Sequence, residues 1–291
     1  TKGVYEFGSV FKTFTLASAF NERIIEPQTK FNNLPKSLTC AGFTISEYDN
    51  KIPSNLTAEQ ILVRSGNIGS VKIGQKVGEE KFKLFLSKIG VLNKINFDIE
   101  EVGKPLKIKW GKCPLATSSF GHGITTTLLQ LAKAYSIIVN GGYNITPSLI
   151  KNEKQNKKER ILNEEVSKMI LPILRKIVTS KEGTASLADV DGYEIGGKTG
   201  TAEKSTSGGY SNKKINSFIS VLPTSRPKFV LAVMLDEPTN SKDYIYHYRD
   251  GSNIKYKGTP FNTAGWTAVE VTGQIIEKIG PILATKYSEI N

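Results

Sequence analysis

Three short strings of this chain contain residue types that together could form and break an acyl bond. They are Ser9-Val10-Phe11-Lys12, Ser65-Gly66-Asn67 and Lys198-Thr199-Gly200-Thr201. A serine hydroxyl becomes a good nucleophile only beside a base, and a lysine acts as that base when its proton affinity is lowered. The set therefore predicts a serine that is acylated by a substrate amide, with lysine rather than histidine moving the protons.

The order of the strings decides which serine is the candidate nucleophile. The spacing Ser-x-x-Lys occurs five times, whereas Ser-x-Asn and Lys-Thr-Gly occur once each. Among the five, only the one that begins at Ser9 lies upstream of both other strings. Each string alone is commonly a helix surface, a cap or a hairpin end, so the prediction depends on their joint occurrence in this order.

The first two strings suggest a division of roles. Ser9 and Lys12 are three residues apart, so on a helix they share one face. Burial, or a second cation such as Lys198, would lower the proton affinity of Lys12. The hydroxyl of Ser65 could relay a proton between Lys12 and the leaving nitrogen. The amide of Asn67 could bind a substrate amide.

The third string is predicted to lie on a strand beside the substrate. Lys198 and Thr199 could bind a substrate carboxylate through charge and a hydroxyl hydrogen bond. Gly200 allows another backbone to approach closely, which suits a peptide substrate added as an edge strand. The backbone N–H groups of Ser9 and Thr201 could stabilise a developing oxyanion.

The elements that carry these strings are predicted from apolar spacing and capping residues. Apolar spacing predicts a helix over 9–20, and the capping box Thr57–Gln60 predicts a helix that ends near Arg64. Ser65-Gly66-Asn67 then falls at a break between two helices. Further predicted elements are helices at 79–89, 125–139, 164–179 and 266–279, and adjacent antiparallel strands at 218–222 and 229–235. The pattern is that of an α+β fold with a large helical region before an antiparallel sheet.

Composition indicates one continuous globular domain. The 291 residues are 38% hydrophobic and 23% charged, and no run of 18 or more apolar residues predicts a membrane span. The net charge is +12, but the lysines are spread along the chain, so no nucleic-acid partner is predicted. The densest basic run, Lys151–Arg160, is interpreted as a solvated loop.

The cysteines and histidines predict neither a metal site nor a cofactor. Cys40 and Cys113 are far apart in sequence and have no metal-binding spacing, so free or buried thiols and a disulfide both stay open. His122 and His247 stand alone, without the spacing that zinc ligands show.

Longer segments around the strings resemble a known family. Tyr5–Lys12 (YEFGSVFK) resembles Y-E-P-G-S-T-F-K, Arg64–Gly69 (RSGNIG) resembles K-S-S-N-I-G, and Gly197–Lys204 (GKTGTAEK) is nearly identical to the family string. Phe120–Ile124 (FGHGI) resembles F-G-Y-G-I. On these segments the chain is similar to the transpeptidase domain of class B penicillin-binding proteins, and among them to the septal, cell-division type.

The resemblance implies a specific reaction and set of site residues. It implies that Ser9 attacks the D-Ala-D-Ala bond of a peptidoglycan stem peptide, after which an amine of a neighbouring stem peptide takes the acyl group. β-Lactam antibiotics would acylate the same serine. The implied catalytic residues are Ser9, Lys12, Ser65, Asn67 and Lys198, the implied substrate-binding residues are Thr199, Gly200 and Thr201, and no metal or cofactor is implied.

The position of the candidate nucleophile leads to a second expectation. The family's domain has several dozen residues before this serine, including strands of its sheet, whereas here it is residue 9. We therefore expect 1–291 to be a transpeptidase domain that lacks its N-terminal part, a pedestal domain and a membrane anchor. The anchored protein would face the periplasm from the bacterial inner membrane. A glycan polymerase and other division proteins would be its partners through the missing regions, and the piece could be inactive alone.

Other functions share part of this pattern. A class A β-lactamase has the same three strings and a deacylating glutamate in an E-x-x-L-N string, which Glu159–Asn163 matches. Its place directly before the predicted helix 164–179 favours a chance match. A β-lactam sensor that is acylated without transferring the acyl group, and a catalytically inactive scaffold in a division complex, are further alternatives.

Overall fold

A helical region and an antiparallel sheet meet at the first residues of the chain. The computed structural model describes residues 1–151, 159–206 and 209–288, so most of the predicted loop 151–160 lies outside the described residues. The α-helices described are α1 (Phe11–Asn21), α2 (Ala58–Val63), α3 (Asn67–Val77), α4 (Glu79–Lys88), α5 (Lys112–Ser118), α6 (Leu128–Val139), α7 (Glu164–Thr179) and α8 (Ala268–Ser288). The strands described are β1 (Lys30–Phe31), β2 (Ser37–Cys40), β3 (Phe43–Ser46), β4 (Leu56–Thr57), β5 (Gly196–Thr206), β6 (Gly209–Leu222), β7 (Phe229–Asp236), β8 (Ile245–His247) and β9 (Lys255–Lys257).

Three strands form the main sheet, in the order β5-β6-β7, and both pairs are antiparallel. In its register Lys198 lies opposite Ile219, and Ile219 lies opposite Ala232. The predicted antiparallel pair is confirmed, but β6 begins at Gly209 rather than at 218. Its first residues are polar and largely exposed, so they carry no apolar pattern that would have predicted a strand. β5 is an edge strand of this sheet.

Helix α1 is the centre of the helical region. Each residue from Phe11 to Phe20 is buried, and the helix packs against α3, α4 and α7. A helix that is buried all round has no solvated face on which a charge could rest. Lys12 therefore lies in the protein interior, where it is 1% exposed.

Capping boxes start two of the helices. The capping box at Thr57 and Gln60 opens α2, and Arg64 is the C-cap residue of that helix. A second capping box, at Thr127 and Gln130, starts α6 three residues later than the predicted 125–139 helix. The predicted 266–279 helix begins at Ala268 and continues to Ser288.

A disulfide joins two parts of the chain that the sequence could not pair. Cys40, at the end of β2, is bonded to Cys113 in α5, and their Cα atoms are 5.6 Å apart. The bond ties the β2–β3 hairpin to the helical region. Among the described residues, no helix is long and apolar enough to cross a membrane.

Candidate active site

Ser9 lines a cavity of about 650 Å³. It lies in a short 3-10 turn, Gly8–Val10, directly before α1, and is partly buried. Residues from all three strings line this cavity, namely Ser9, Ser65, Asn67, Thr199 and Thr201. The structure therefore brings together the strings that their order in the sequence had selected.

Glycines let the backbone before Ser9 fit between β5 and a loop. A Cβ on Gly200 would lie 2.1 Å from the carbonyl oxygen of Phe7, and a Cβ on Gly121 would lie 1.8 Å from that of Gly8. Gly8 itself has a φ of +55°, a left-handed conformation that favours glycine. The close approach at Gly200 is thus made by the chain's own segment before Ser9.

Ser65 lines the same cavity and has a strained backbone conformation. It lies between α2 and α3 with a φ of +58°, which is uncommon for a residue with a side chain. Such conformations persist where the surrounding structure over-determines them, and they cluster at functional sites. The Ser65 carbonyl oxygen and hydroxyl both accept hydrogen bonds from Lys12.

The hydroxyl of Ser65 joins the two lysines of the first and third strings. Lys12 Nζ lies 3.2 Å from Ser65 Oγ, and Lys198 Nζ lies 2.9 Å from the same oxygen. Lys12 Nζ also donates to Asn67 Oδ1 at 2.7 Å, and Lys198 Nζ donates to the carbonyl oxygen of Thr199 at 3.0 Å. This buried network could move a proton between two nitrogen atoms through one hydroxyl.

Burial makes both lysines weak bases. It lowers the pKa of Lys12 to about 7, against the charge of Glu47, which raises it. Burial and then the positive charge of Lys12 hold the pKa of Lys198 well below its usual range. The predicted lowering at Lys12 therefore comes from desolvation, and the charge effect acts chiefly on Lys198. Since Lys12 is half neutral near pH 7, it can accept a proton from a serine hydroxyl at that pH.

Lys12 and Ser9 are not joined by a hydrogen bond in this structure. Among the described residues, the hydrogen bonds of Lys12 go to Ser65 and Asn67, and none joins it to Ser9. Catalytic hydrogen bonds are often absent before substrate binds and form only in the complex. Ser9 and Thr201 line one cavity, and the oxyanion role of their N–H groups stays a prediction.

Comparison with known proteins identifies the family. The profile of the penicillin-binding protein transpeptidase domain matches residues 1–252. The chain belongs to this family. It is 30% identical to the probable peptidoglycan D,D-transpeptidase FtsI of Caulobacter vibrioides over 97% of the chain and 47% of that relative. It is 32% identical to the probable peptidoglycan D,D-transpeptidase PenA of Neisseria flavescens over 82% of the chain and 60% of that relative. The chain thus spans about half the length of these curated relatives.

A solved structure supports the same assignment. The transpeptidase domain of penicillin-binding protein 3 from Burkholderia pseudomallei, in its apo form, has a TM-score of 0.82 with 25% identity, covering 97% of this chain and 80% of that one. The expected mixed helix-and-sheet fold of the penicillin-binding family is therefore confirmed.

The predicted substrate contacts of Lys198 and Asn67 stay predictions, and the structure shows what surrounds each side chain. Lys198 is fully buried and is not among the residues that line the cavity. Thr199 and Thr184 line the cavity beside each other, and their Oγ1 atoms are 2.7 Å apart. Asn67 is bonded through Oδ1 to Lys12 and through Nδ2 to the carbonyl oxygen of Ser46. An amide nitrogen carries two N–H groups, so these bonds do not exclude the predicted contact with a substrate amide.

Sequence reasoning missed a carboxylate that holds the second string. Glu47 accepts hydrogen bonds from the backbone N–H groups of Asn67 at 2.6 Å and Ile68 at 3.0 Å, at the start of α3. A carboxylate stabilises a helix N-terminus because it pairs the free N–H groups and the positive end of the dipole. Glu47 follows β3, and no local motif marked it.

The β-lactamase-like string lies elsewhere. Glu159 is exposed, outside the cavity that Ser9 lines, and its carbonyl oxygen accepts a hydrogen bond from Asn144. The interpretation of this string as a chance match is therefore supported by its position. Within the described ranges, no cluster of three or more His, Cys, Asp or Glu residues could hold a metal ion.

Proposed function

We propose that this chain is the transpeptidase domain of a peptidoglycan D,D-transpeptidase that works through an acyl-enzyme on Ser9. The observation that carries the proposal is the bridge from Lys12 through Ser65 Oγ to Lys198, beside the cavity that Ser9 lines. Family membership supports the same chemistry. The proposed unit is 1–291, as part of a longer protein.

Acylation follows from the placement of these groups. A stem peptide that ends in D-Ala-D-Ala binds along the edge strand β5, with its carboxylate near the hydroxyl groups of Thr199 and Thr184. Ser9 Oγ attacks the carbonyl carbon of the scissile amide and gives its proton to neutral Lys12. Ser65 passes a proton to the leaving nitrogen, the C–N bond breaks, and D-alanine departs.

Deacylation completes the transfer. An amine of a neighbouring stem peptide attacks the ester, forms the cross-link and returns a proton to Ser9. A β-lactam acylates Ser9 by the same attack, but its opened ring stays attached and blocks the second step. The partners proposed for this site are therefore stem peptides and β-lactam antibiotics.

The cellular setting is also proposed. We place the enzyme in cell-wall synthesis at division, on the periplasmic face of the inner membrane, with an anchor and a pedestal outside this chain. The Cys40–Cys113 disulfide supports an oxidising compartment, because such bonds persist there and are rare in the cytosol. A glycan polymerase and other division proteins are the proposed protein partners.

Labelling with a fluorescent penicillin tests the acylation step. The protein is expected to retain the label covalently on Ser9, and Ser9→Ala is expected to lose it. Ser87→Ala, an exposed serine in α4, is the matched control and should label as the unaltered chain does. No label on a folded protein would contradict the proposal.

Time-resolved mass spectrometry with penicillin G separates this function from a β-lactamase. A long-lived adduct on Ser9 is expected, because Glu159 lies outside the cavity and cannot activate water there. Rapid turnover of the antibiotic would instead support the β-lactamase.

A further inference from the structure

A carboxylate lies in the wall of the Ser9 cavity without a role in the mechanism above. Glu6 is three residues before Ser9, lines the same cavity, and its side chain is 9% exposed. The paired backbones of Tyr5 and Thr126 fix its position, with N···O distances of 3.0 Å in both directions. Glu6 is therefore held beside the reacting centre rather than free to turn into solvent.

The hydrogen-bond partners of Glu6 are neutral donors. Its oxygen atoms accept from the Tyr210 hydroxyl at 3.0 Å and from the Gly123 N–H at 2.9 Å. Burial and the negative charge of Glu6 raise the pKa of Tyr210, so this phenol stays a donor. Among the described residues, no lysine or arginine forms an ion pair with Glu6, and His122 Nδ1 lies 4.0 Å from its Oε2, at the limit of ion-pair distance. A largely buried carboxylate without a cationic partner costs free energy, which a bound cation would offset.

Aromatic rings border the same spot. His122 lies between Phe120 and Tyr210, with ring centroids 6.0 Å and 4.7 Å from its own. All three rings line the cavity. Phe120 and Tyr210 are of the residue types whose ring faces attract ammonium groups. In a chain with a net charge of +12, this is a place in the catalytic cavity where a cation is favoured.

We propose that Glu6 and Tyr210 form the subsite for the acyl acceptor, and that its ligand is the side-chain ammonium group of a diamino acid. This inference rests on the proposed function, because an acceptor is needed only if Ser9 carries an acyl group. Glu6 binds and orients the ammonium group, which then loses one proton to solvent. The neutral nitrogen attacks the ester carbon, the C–N bond forms, the C–O bond to Ser9 breaks, and a second proton from nitrogen goes to Ser9 Oγ.

The other carboxylate that lines the cavity does not offer this subsite. Glu203 is exposed and lies opposite Lys214 in the β5–β6 register, so a cation already faces it. Glu6 is the buried carboxylate, and it is aligned with the nucleophile by the chain itself.

The test compares two nucleophiles in one assay. The donor is diacetyl-L-lysyl-D-alanyl-D-alanine, and the acceptors are N-acetyl-lysine amide, which carries an ammonium group, and hydroxylamine, which is uncharged at pH 8. Mass spectrometry measures the ratio of acceptor product to hydrolysis product. Because both products come from the same acyl-enzyme, this ratio does not depend on how fast Ser9 is acylated.

Glu6→Gln keeps an oxygen that can accept from Tyr210 and Gly123 but removes the charge. The ratio with the lysine derivative is expected to fall roughly tenfold to a hundredfold, as for the loss of one charge-assisted hydrogen bond, while the ratio with hydroxylamine is unchanged. Tyr210→Phe is expected to give a smaller fall with the same selectivity. Glu80→Gln, an exposed carboxylate of α4, is the matched control.

Each other result overturns the inference. Equal falls for both acceptors would mean that Glu6 only supports the loop at Gly123, and unchanged ratios would mean that it has no role in acceptor binding. The proposed function fails separately, if the unaltered protein forms no acyl-enzyme from penicillin or from the donor.

Discussion

The floor and the wall of the Ser9 cavity keep their charged groups ready for chemistry in opposite ways. Lys12, Ser65 and Lys198, here called the floor, are buried next to the cavity, and burial lowers the pKa of both lysines. The wall, at Glu6 and Tyr210, keeps a carboxylate with neutral donors at the cavity surface. An amine that accepts the serine proton must be neutral. The described hydrogen-bond partners of Lys12 and Lys198 are uncharged oxygen atoms, so no carboxylate contacts them directly. A cation site needs an available anion, and among the described residues Glu6 forms no ion pair with a lysine or arginine.

Removing the base of the floor is expected to have the largest effect. Lys12→Met keeps the length and apolar stem of the side chain but cannot accept the proton of Ser9. The rate of acylation by penicillin should fall by about a hundredfold to ten-thousandfold, as for loss of a general base. Lys83→Met, an exposed lysine of α4, is the control, and stopped-flow labelling is the measurement. A near-normal rate for Lys12→Met would assign the base elsewhere.

The pH dependence of acylation should follow the protonation of Lys12. Below the pKa of Lys12, which is about 7, the amine is protonated and cannot take the serine proton. The acylation rate should therefore rise about tenfold per pH unit below 7 and level off above it. A rate that is constant between pH 5.5 and pH 8.5, roughly the range in which the protonation of Lys12 changes, would show that another group limits the step.

Removing the disulfide should lower the free energy of unfolding without abolishing acylation of Ser9. The double variant Cys40→Ser/Cys113→Ser releases a closed loop with a sequence separation of 73 residues, so the free energy of unfolding should fall by about 2–4 kcal/mol. Thermal denaturation measures the loss. Penicillin labelling well below the melting temperature should persist, because α1, α3 and β5 hold the floor by packing. Loss of labelling in the folded variant would mean that the β2–β3 hairpin positions the floor.

The smallest expected effect is at Glu47, the carboxylate nearest the floor. Its charge raises the pKa of Lys12, so Glu47→Gln should move the midpoint of the pH profile below 7, by at most about one unit. The same variant weakens the cap of α3 and should lower the melting temperature slightly. Glu47→Asp keeps the charge and is the control for the pH shift. A midpoint that moves upward would contradict the assigned role.

Much of the scaffold could be predicted because its signals are local. The capping box at Thr57 and Gln60 places the end of α2, and therefore the break at Ser65, within a few residues of sequence. The apolar runs of 218–222 and 229–235 predicted the pairing of β6 and β7 for the same reason. The polar start of β6 and the exposed hairpin β2–β3 were missed, because partly solvated strands have little apolar contrast between faces.

The sequence by itself determined the nucleophile candidate, the order of the three strings and the family, since each depends on residue types at short spacing. Only the tertiary structure decided that Lys198 is buried and that Ser65 joins the lysines. It also decided that Glu6 meets Tyr210, a contact between residues 204 positions apart. Burial and charge pairing are properties of neighbours in space, and at such separations no local pattern of residues encodes which neighbours will meet.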